Sequence, residues 1–337
     1  MSKQAVLLVN LGSPDSPSVK NVRKYLNEFL MDGNVIDVPY PIRALIVKGF
    51  ILPFRPKKSA EAYASIWWQE GSPLIVISQK SFQKVKNKVN MPVALAMRYG
   101  NPSIENTLKD LLTQYPDLRE IKLVPLYPHY AMATTKTVIE KTQEIIQKNK
   151  WQLKIDALES FYNKPDYITA LSNSIRPYLQ NGFDYFLFSY HGVPERHVKK
   201  TDITNNHCLK TANCCNIKSE AHQFCYRHQT FETTRLVAER LALQPTQYGQ
   251  SFQSRLGQDA WLKPYTEPEL IRLANSGVKK IAVVCPAFVA DCLETLEEIA
   301  VRGKEVFVEA GGEDLQLIPC LNDNDEWVDV LASYCNN

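Results

Sequence analysis

No run in this chain approaches the roughly 20 consecutive apolar residues that a bilayer-spanning helix needs. Charge of one sign is not in excess either: 39 Lys and Arg stand against 36 Asp and Glu, a formal net charge of +3. A dedicated nucleic-acid binder carries a larger and more clustered basic surplus, so that class is excluded. Eight cysteines in 337 residues are too few for a disulfide scaffold. Neither a Gly-x-Gly-x-x-Gly sequence nor a Walker loop occurs, so a dinucleotide or triphosphate site lacks its fingerprint. The opening apolar run, Ala5 to Val9, is short and is ended by Asn10, Gly12 and Pro14. A signal peptide needs a longer apolar core. The run reads instead as the first buried strand of a cytoplasmic protein.

What is present is an ordinary globular composition, with 45% hydrophobic and 22% charged residues, long enough for one large domain or two. Short Val-, Ile- and Leu-rich runs alternate with amphipathic segments. One set is Ala5 to Leu11, Val93 to Met97, Ile121 to Leu126 and Leu153 to Leu158. The other is Tyr185 to Tyr190, Gln247 to Phe252, Lys280 to Pro286 and Leu315 to Leu321. Such runs predict fully buried parallel strands, although Gln247 to Phe252 is unusually polar. Val19, Val22, Leu26, Phe29 and Leu30 recur at helical spacing, and Thr230 to Leu241 and Glu267 to Ala274 are similar. The alternation predicts an α/β fold. Four strands in each half predict two similar lobes, although the residues themselves do not repeat. In open parallel sheets ligands meet the carboxyl ends of strands, so the residues just after each run are the ones to search.

Two segments stand out there. His191 ends the run Phe186-Leu187-Phe188-Ser189-Tyr190, and Gly192 and Pro194 follow it. An imidazole in that place either faces a ligand or bonds a loop carbonyl. After Lys280 to Pro286 comes Asp291-Cys292-Leu293-Glu294-Thr295-Leu296-Glu297-Glu298. If Asp291 opens a helix, Asp291, Glu294 and Glu298 share one face. Carboxylates so placed repel one another unless a cation or protons relieve them. The plainer reading is an acidic first turn that complements the helix dipole, which covers Glu298 least well.

Together these segments resemble a known family. Ser189-Tyr190-His191-Gly192-Val193-Pro194 and Cys292-Leu293-Glu294-Thr295-Leu296-Glu297-Glu298 look like ferrochelatase signatures. The opening Leu8-Val9-Asn10-Leu11-Gly12-Ser13-Pro14 is similar to that family's first motif. Arg98-Tyr99-Gly100, Pro125-Leu126-Tyr127-Pro128, Ser251-Phe252-Gln253-Ser254-Arg255 and Trp261-Leu262 with Pro264-Tyr265-Thr266 add four more in the expected order. The resemblance runs from about residue 5 to about 320. It implies two Rossmann-like lobes, each a four-stranded parallel sheet flanked by helices, with a porphyrin cleft between them. Lobe 1 would take residues 1–155 and a returning tail, 315–337; lobe 2 would take 156–314. The implied reaction is insertion of Fe²⁺ into protoporphyrin IX with loss of the pyrrole protons.

The family's metal-site pair falls on His191 and Glu294. Imidazole and carboxylate suit Fe²⁺ as ligands, and imidazole titrates near neutral pH as a proton acceptor should. The expectation is therefore His191 as base and Glu294 as metal contact, with Asp291 and Glu298 as a path for iron or protons. Arg55 and Arg98 are candidate propionate partners, because guanidinium pairs well with carboxylate. Leu11, Tyr99, Tyr190 and Trp261 are candidates for the apolar porphyrin wall; core packing is the alternative for the aromatics. Some family members carry a second His where this chain has Cys292, so any role of that His does not transfer.

Two further features remain. Between Val38 and Ala60 five basic residues and no acidic one flank an apolar stretch interrupted by Lys48 and Pro53. It can lie on an anionic bilayer surface, cover the porphyrin, or pack as a buried helix. The second feature is the segment 205–228, where Cys208, Cys214, Cys215 and Cys225 fall within 18 residues. Four thiols can ligate an iron–sulfur cluster or zinc. The spacing is unlike a zinc ribbon, but His207, His222 and His228 keep zinc open, as bare thiols do. The resemblance favours a 2Fe–2S cluster, since some bacterial members place cysteines in this segment. A chelatase for coproporphyrin or another tetrapyrrole, and a non-catalytic porphyrin carrier, are the competing readings. A carrier needs no base beside a metal ligand.

Overall fold

The structure, a computed structural model, describes residues 3–257 and 259–336. Met1, Ser2, Gln258 and Asn337 fall within the lobe bounds expected above but lie outside the described residues. Eight strands form two sheets. β1 (Gln4–Asn10), β2 (Val93–Met97), β3 (Glu120–Pro125) and β4 (Lys154–Ala157) make one, in the order β2-β1-β3-β4. β5 (Tyr185–His191), β6 (Tyr248–Gln253), β7 (Lys280–Val284) and β8 (Asp314–Leu317) make the other, in the order β6-β5-β7-β8. Every pairing is parallel. The α/β expectation of two four-stranded parallel sheets holds, and the repeat that the residues hide is plain in the strand order.

Patterning explains that order. Every residue of β1 after Gln4 is buried, as are the five inner residues of β5. A central parallel strand is covered on both faces and must be apolar along its length. The edge strands β4 and β8 carry exposed Lys154, Asp156 and Gln316. Helices supply the cover. In the first sheet Leu7, Val9, Ile121 and Leu123 pack with Leu108, Val138 and Ile145. In the second, Leu187, Ile281 and Val283 pack with Leu270, Leu273, Ile299 and Phe307.

The polar strand β6 is real, and its polarity has a cause. Ser251 Oγ lies 2.9 Å from Thr266 Oγ1. Gln250 accepts from Thr234 Oγ1 at 3.0 Å and donates to Thr230 Oγ1 at 2.8 Å. Helix threonines thus satisfy the strand's buried groups, which removes the cost of burying them.

The chain divides into two compact units, Met1–Tyr127 with Met132–Glu159 and Asp323–Asn337, and Pro128–Ala131 with Ser160–Asn322. β8 stays in the second unit because it pairs with β7. The chain therefore re-enters the first unit at Asp323 and not at 315. There Lys84 pairs with Asp323 and Asp325 at 3.1 and 2.9 Å.

In each sheet the chain reverses direction of winding beside the second strand in order, β1 or β5. That reversal is where open α/β sheets receive ligands. The β1 end is closed by the protein itself: Gly12 has φ +104°, and an added Cβ would stand 1.8 Å from the Tyr99 carbonyl oxygen. The β5 end carries His191. Among the described residues no helix is long and apolar enough to cross a membrane.

Candidate active site

His191 closes β5 with its ring half-buried. Its Nδ1 lies 2.7 Å from the Gly192 carbonyl oxygen. A carbonyl only accepts, so this partner assigns the hydrogen to Nδ1 and the lone pair of the neutral ring to Nε2. The next peptide is tightly held. Gly192 N donates to Gln253 O at 2.6 Å. Tyr226 Oη donates to the His191 carbonyl at 2.8 Å. No side chain is tolerated at residue 192, since a Cβ would meet Gln253 O at 2.7 Å and Trp261 Cε3 at 3.3 Å.

The carboxylates arrive from the segment after β7, the strand beside β5. Cys292 caps a single helical turn, Leu293–Leu296, which widens into the π-helix Glu298–Gly303. Such widened turns recur at functional sites. Gln253 Nε2 donates to the Glu294 carbonyl at 2.7 Å, and Gln253 Oε1 accepts from Ser189 Oγ at 2.7 Å. Ser254 holds Glu298 through its backbone N, 2.9 Å from Oε1, and through its hydroxyl to Oε2. Burial pushes the Glu298 carboxyl above its ordinary value; Ser254 and the His191 charge offset this in part, and the Glu294 charge adds to it. Glu298 thus senses the charges of both His191 and Glu294. Gln253 and Ser254 knit them together, and only their membership of a recognised motif pointed to them in the sequence.

Asp291 does not join this group, which corrects the shared-face expectation. It precedes the helix, and its carboxylate is fully engaged. Oδ1 accepts from Thr295 Oγ1 at 3.0 Å and Cys320 N at 3.3 Å, and Oδ2 from Asn322 Nδ2 at 2.7 Å. It fastens the segment and does not line a path. Cys292 is buried, and its thiol is held well above the ordinary value by burial first and the Glu294 charge second, as suits an inert core thiol.

Three of the porphyrin-facing candidates have partners inside the protein. Arg98 is buried against Asp32, to which it is ion-paired, and its Nε donates to Thr137 Oγ1 at 2.8 Å. Tyr99 is fully buried beneath that guanidinium and donates to Asp32 at 2.8 Å. Tyr190 is fully buried with its hydroxyl 2.7 Å from Thr234 Oγ1. Both phenol hydroxyls and two of the three guanidinium nitrogens are thus bonded within the protein. Leu11 is half-buried, Arg55 is exposed at the start of the helix Arg55–Ile66, and Trp261 packs beside Gly192.

The four clustered cysteines are all buried. Their thiols perturb one another electrostatically, Cys208 acting on Cys225 and Cys225 on Cys215. The Cys225 thiol is pushed up to about 12, chiefly by its contact with Cys208. Arg227 Nη1 donates to Cys215 Sγ at 3.2 Å and Cys214 Sγ at 3.6 Å, and Leu209 N to Cys214 Sγ at 3.4 Å. Asp202 holds the loop by accepting from the backbone N of His207 and Cys208 at 2.8 and 2.7 Å. The rings of His222 and His228 stack at 3.5 Å. Among the described residues no three His, Cys, Asp or Glu side chains converge as ligands of a single metal ion.

The basic stretch forms a short helix, Tyr40–Ala44, and a π-helix, Leu45–Ile51, ahead of Arg55–Ile66. Val47 is buried, whereas Tyr40, Ile42, Leu45, Phe50 and Phe54 are between 51% and 77% exposed.

Comparison with known proteins identifies the family. The chain matches the Ferrochelatase family model over residues 3–337. It is 53% identical to the ferrochelatase of Pseudomonas fluorescens strain Pf0-1 over 99% of this chain and 98% of that protein. A ferrochelatase of Ectopseudomonas mendocina is also 53% identical, with the same coverage. Among solved structures it is similar in fold to SirB from Bacillus subtilis with Fe³⁺, at a TM-score of 0.54 and 12% identity, covering 99% of this chain and 94% of that one.

The Asp32–Arg98 pair gives a prediction that separates a structural from a substrate role. Burial raises the Asp32 carboxyl, but the Arg98 charge and the bonds from Thr137, Asn34 N and Tyr99 outweigh it and hold the group below 3.8. A carboxyl depressed in the folded state contributes stability above its unfolded value and loses it as pH falls through the depressed one. Arg98→Ala strands a buried carboxylate and is expected to cost about 3–5 kcal/mol in urea unfolding at neutral pH, less in acid. A wild-type urea midpoint with a raised porphyrin KM would show Arg98 to be a substrate contact after all.

Proposed function

The chain belongs to the ferrochelatase family, and we propose that it works at His191, Glu294 and Glu298. It is a metal chelatase of the lyase class that inserts ferrous iron into protoporphyrin to give haem. Metallation needs iron held without a closed cage, and pyrrole nitrogens relieved of their protons. His191, with Nδ1 occupied by Gly192, offers Nε2 as proton acceptor. Glu294 offers a carboxylate to Fe²⁺. Two protein ligands leave other positions to water, so the metal can depart. Glu298, with its affinity for protons raised by burial and its carboxylate aligned by Ser254, serves as the proton or iron relay in place of Asp291. Leu11 is half-buried and Arg55 exposed, as an apolar contact and a propionate partner each require.

The observation that supports this reading is that Gln253, paired in register with His191, holds the Glu294 carbonyl, and Ser254 beside it holds the Glu298 carboxylate. In anaerobic Fe²⁺ insertion into protoporphyrin, His191→Ala and Glu294→Gln are each expected to lower kcat by roughly 100-fold or more. Full turnover in either variant would sink the shared site.

The finer reading of the cysteine segment is a 2Fe–2S cluster on Cys208, Cys214, Cys215 and Cys225. The chemistry of the donors supports it: four buried thiols within one loop, with N–H donors and the Arg227 charge at Cys214 and Cys215 to offset thiolate charge. When bound, such a cluster supplies a one-electron centre. Anaerobically purified protein should be brown, with iron and sulfide in equal amounts, and Cys225→Ser should be colourless. A colourless wild type with stoichiometric zinc would reverse the assignment.

The exposed apolar side chains of residues 40–54, ringed by Lys48, Arg55, Lys57 and Lys58, support peripheral contact with an anionic membrane from the cytoplasmic side. The protein should co-sediment with anionic liposomes at low salt and less at high salt, and Phe54→Asp should weaken binding. No pelleting at low salt removes the idea.

A further inference from the structure

We propose that Tyr226 is a positioning residue through which the cysteine segment sets the geometry of His191. The proposal rests on the reading of His191 as the working base and of the four thiols as one ligand set. Cys225 is the N-cap of the helix Tyr226–Arg240, and Tyr226 is its first residue. One peptide unit, about 3.8 Å between Cα atoms, therefore separates a cysteine of the cluster set from the phenol. The Tyr226 ring is buried, with the His129 ring edge-on at 5.9 Å. Its hydroxyl donates to the His191 carbonyl at 2.8 Å.

That carbonyl and the Gly192 N–H belong to the same peptide plane. Gln253 O takes the N–H at 2.6 Å, and Tyr226 takes the carbonyl. The plane is thus pinned from both sides, by β6 and by the cysteine-bearing helix. The Gly192 carbonyl that follows is the acceptor for His191 Nδ1 at 2.7 Å. If the plane turns, this acceptor swings, and with it the ring and the direction of the Nε2 lone pair. A phenylalanine would fill the same buried space; the hydroxyl is explained by the carbonyl it holds. A shift of Cys225 as the thiols gain or lose their ligand reaches His191 along this route without crossing solvent.

The test uses Tyr226→Phe in anaerobically purified full-length protein. Visible absorption and iron and sulfide content should match wild type, porphyrin KM should move little, and kcat should fall on the order of 10- to 100-fold. Stripping iron with a chelator should lower the kcat of wild type and should add little to the loss in Tyr226→Phe. Wild-type kcat in Tyr226→Phe overturns the proposal. So does a loss of colour in proportion to turnover, because the hydroxyl would then serve only the folding of the cysteine segment. Full turnover in His191→Ala overturns instead the reading of the site beneath it, so the two failures are told apart.

Discussion

A central parallel strand must hide both of its faces. In this chain β1 and β5 do so with almost unbroken apolar runs, and everything chemical is pushed to their carboxyl ends. The two sheets meet this constraint with the same strand order, yet their strand ends have different fates. At β1 the backbone closes over the end, with Gly12 against the Tyr99 carbonyl. At β5 the strand ends in an imidazole, and the adjoining end of β6 holds the Glu294 carbonyl and the Glu298 carboxylate.

Much of this was legible in the residues. Apolar runs of four to seven residues located the strands because burial on both faces leaves no other pattern. His191 and the Glu294–Glu298 segment were legible because they directly follow such runs. β6 was the hard strand, since its buried Ser251 and Gln253 are polar and their partners, Thr266 and Ser189, lie far off in sequence. Asp291 misled for a local reason: helical spacing was counted from it, whereas the helix starts after Cys292.

Arg98, Tyr99 and Tyr190 share one feature that the sequence hid. A residue type announces what it can bind, not what it has already bound. Arg98 suits a propionate, but the carboxylate it found is Asp32, carried by a distant part of the same unit. Tyr99 and Tyr190 likewise spend their hydroxyls on Asp32 and Thr234. Pairings across 67 and 44 positions leave no trace in local sequence.

The Asp202 carboxylate gathers the backbone of His207 and Cys208 on Oδ2, and its Oδ1 receives the N–H and hydroxyl of Thr204. The cysteine loop is therefore folded by oxygen–nitrogen bonds that need no metal. Small zinc modules differ, for their ligands come together only when the ion arrives and its binding energy is their folding energy. Here the Asp202 carboxylate does for the backbone of the loop what the ion does in such modules.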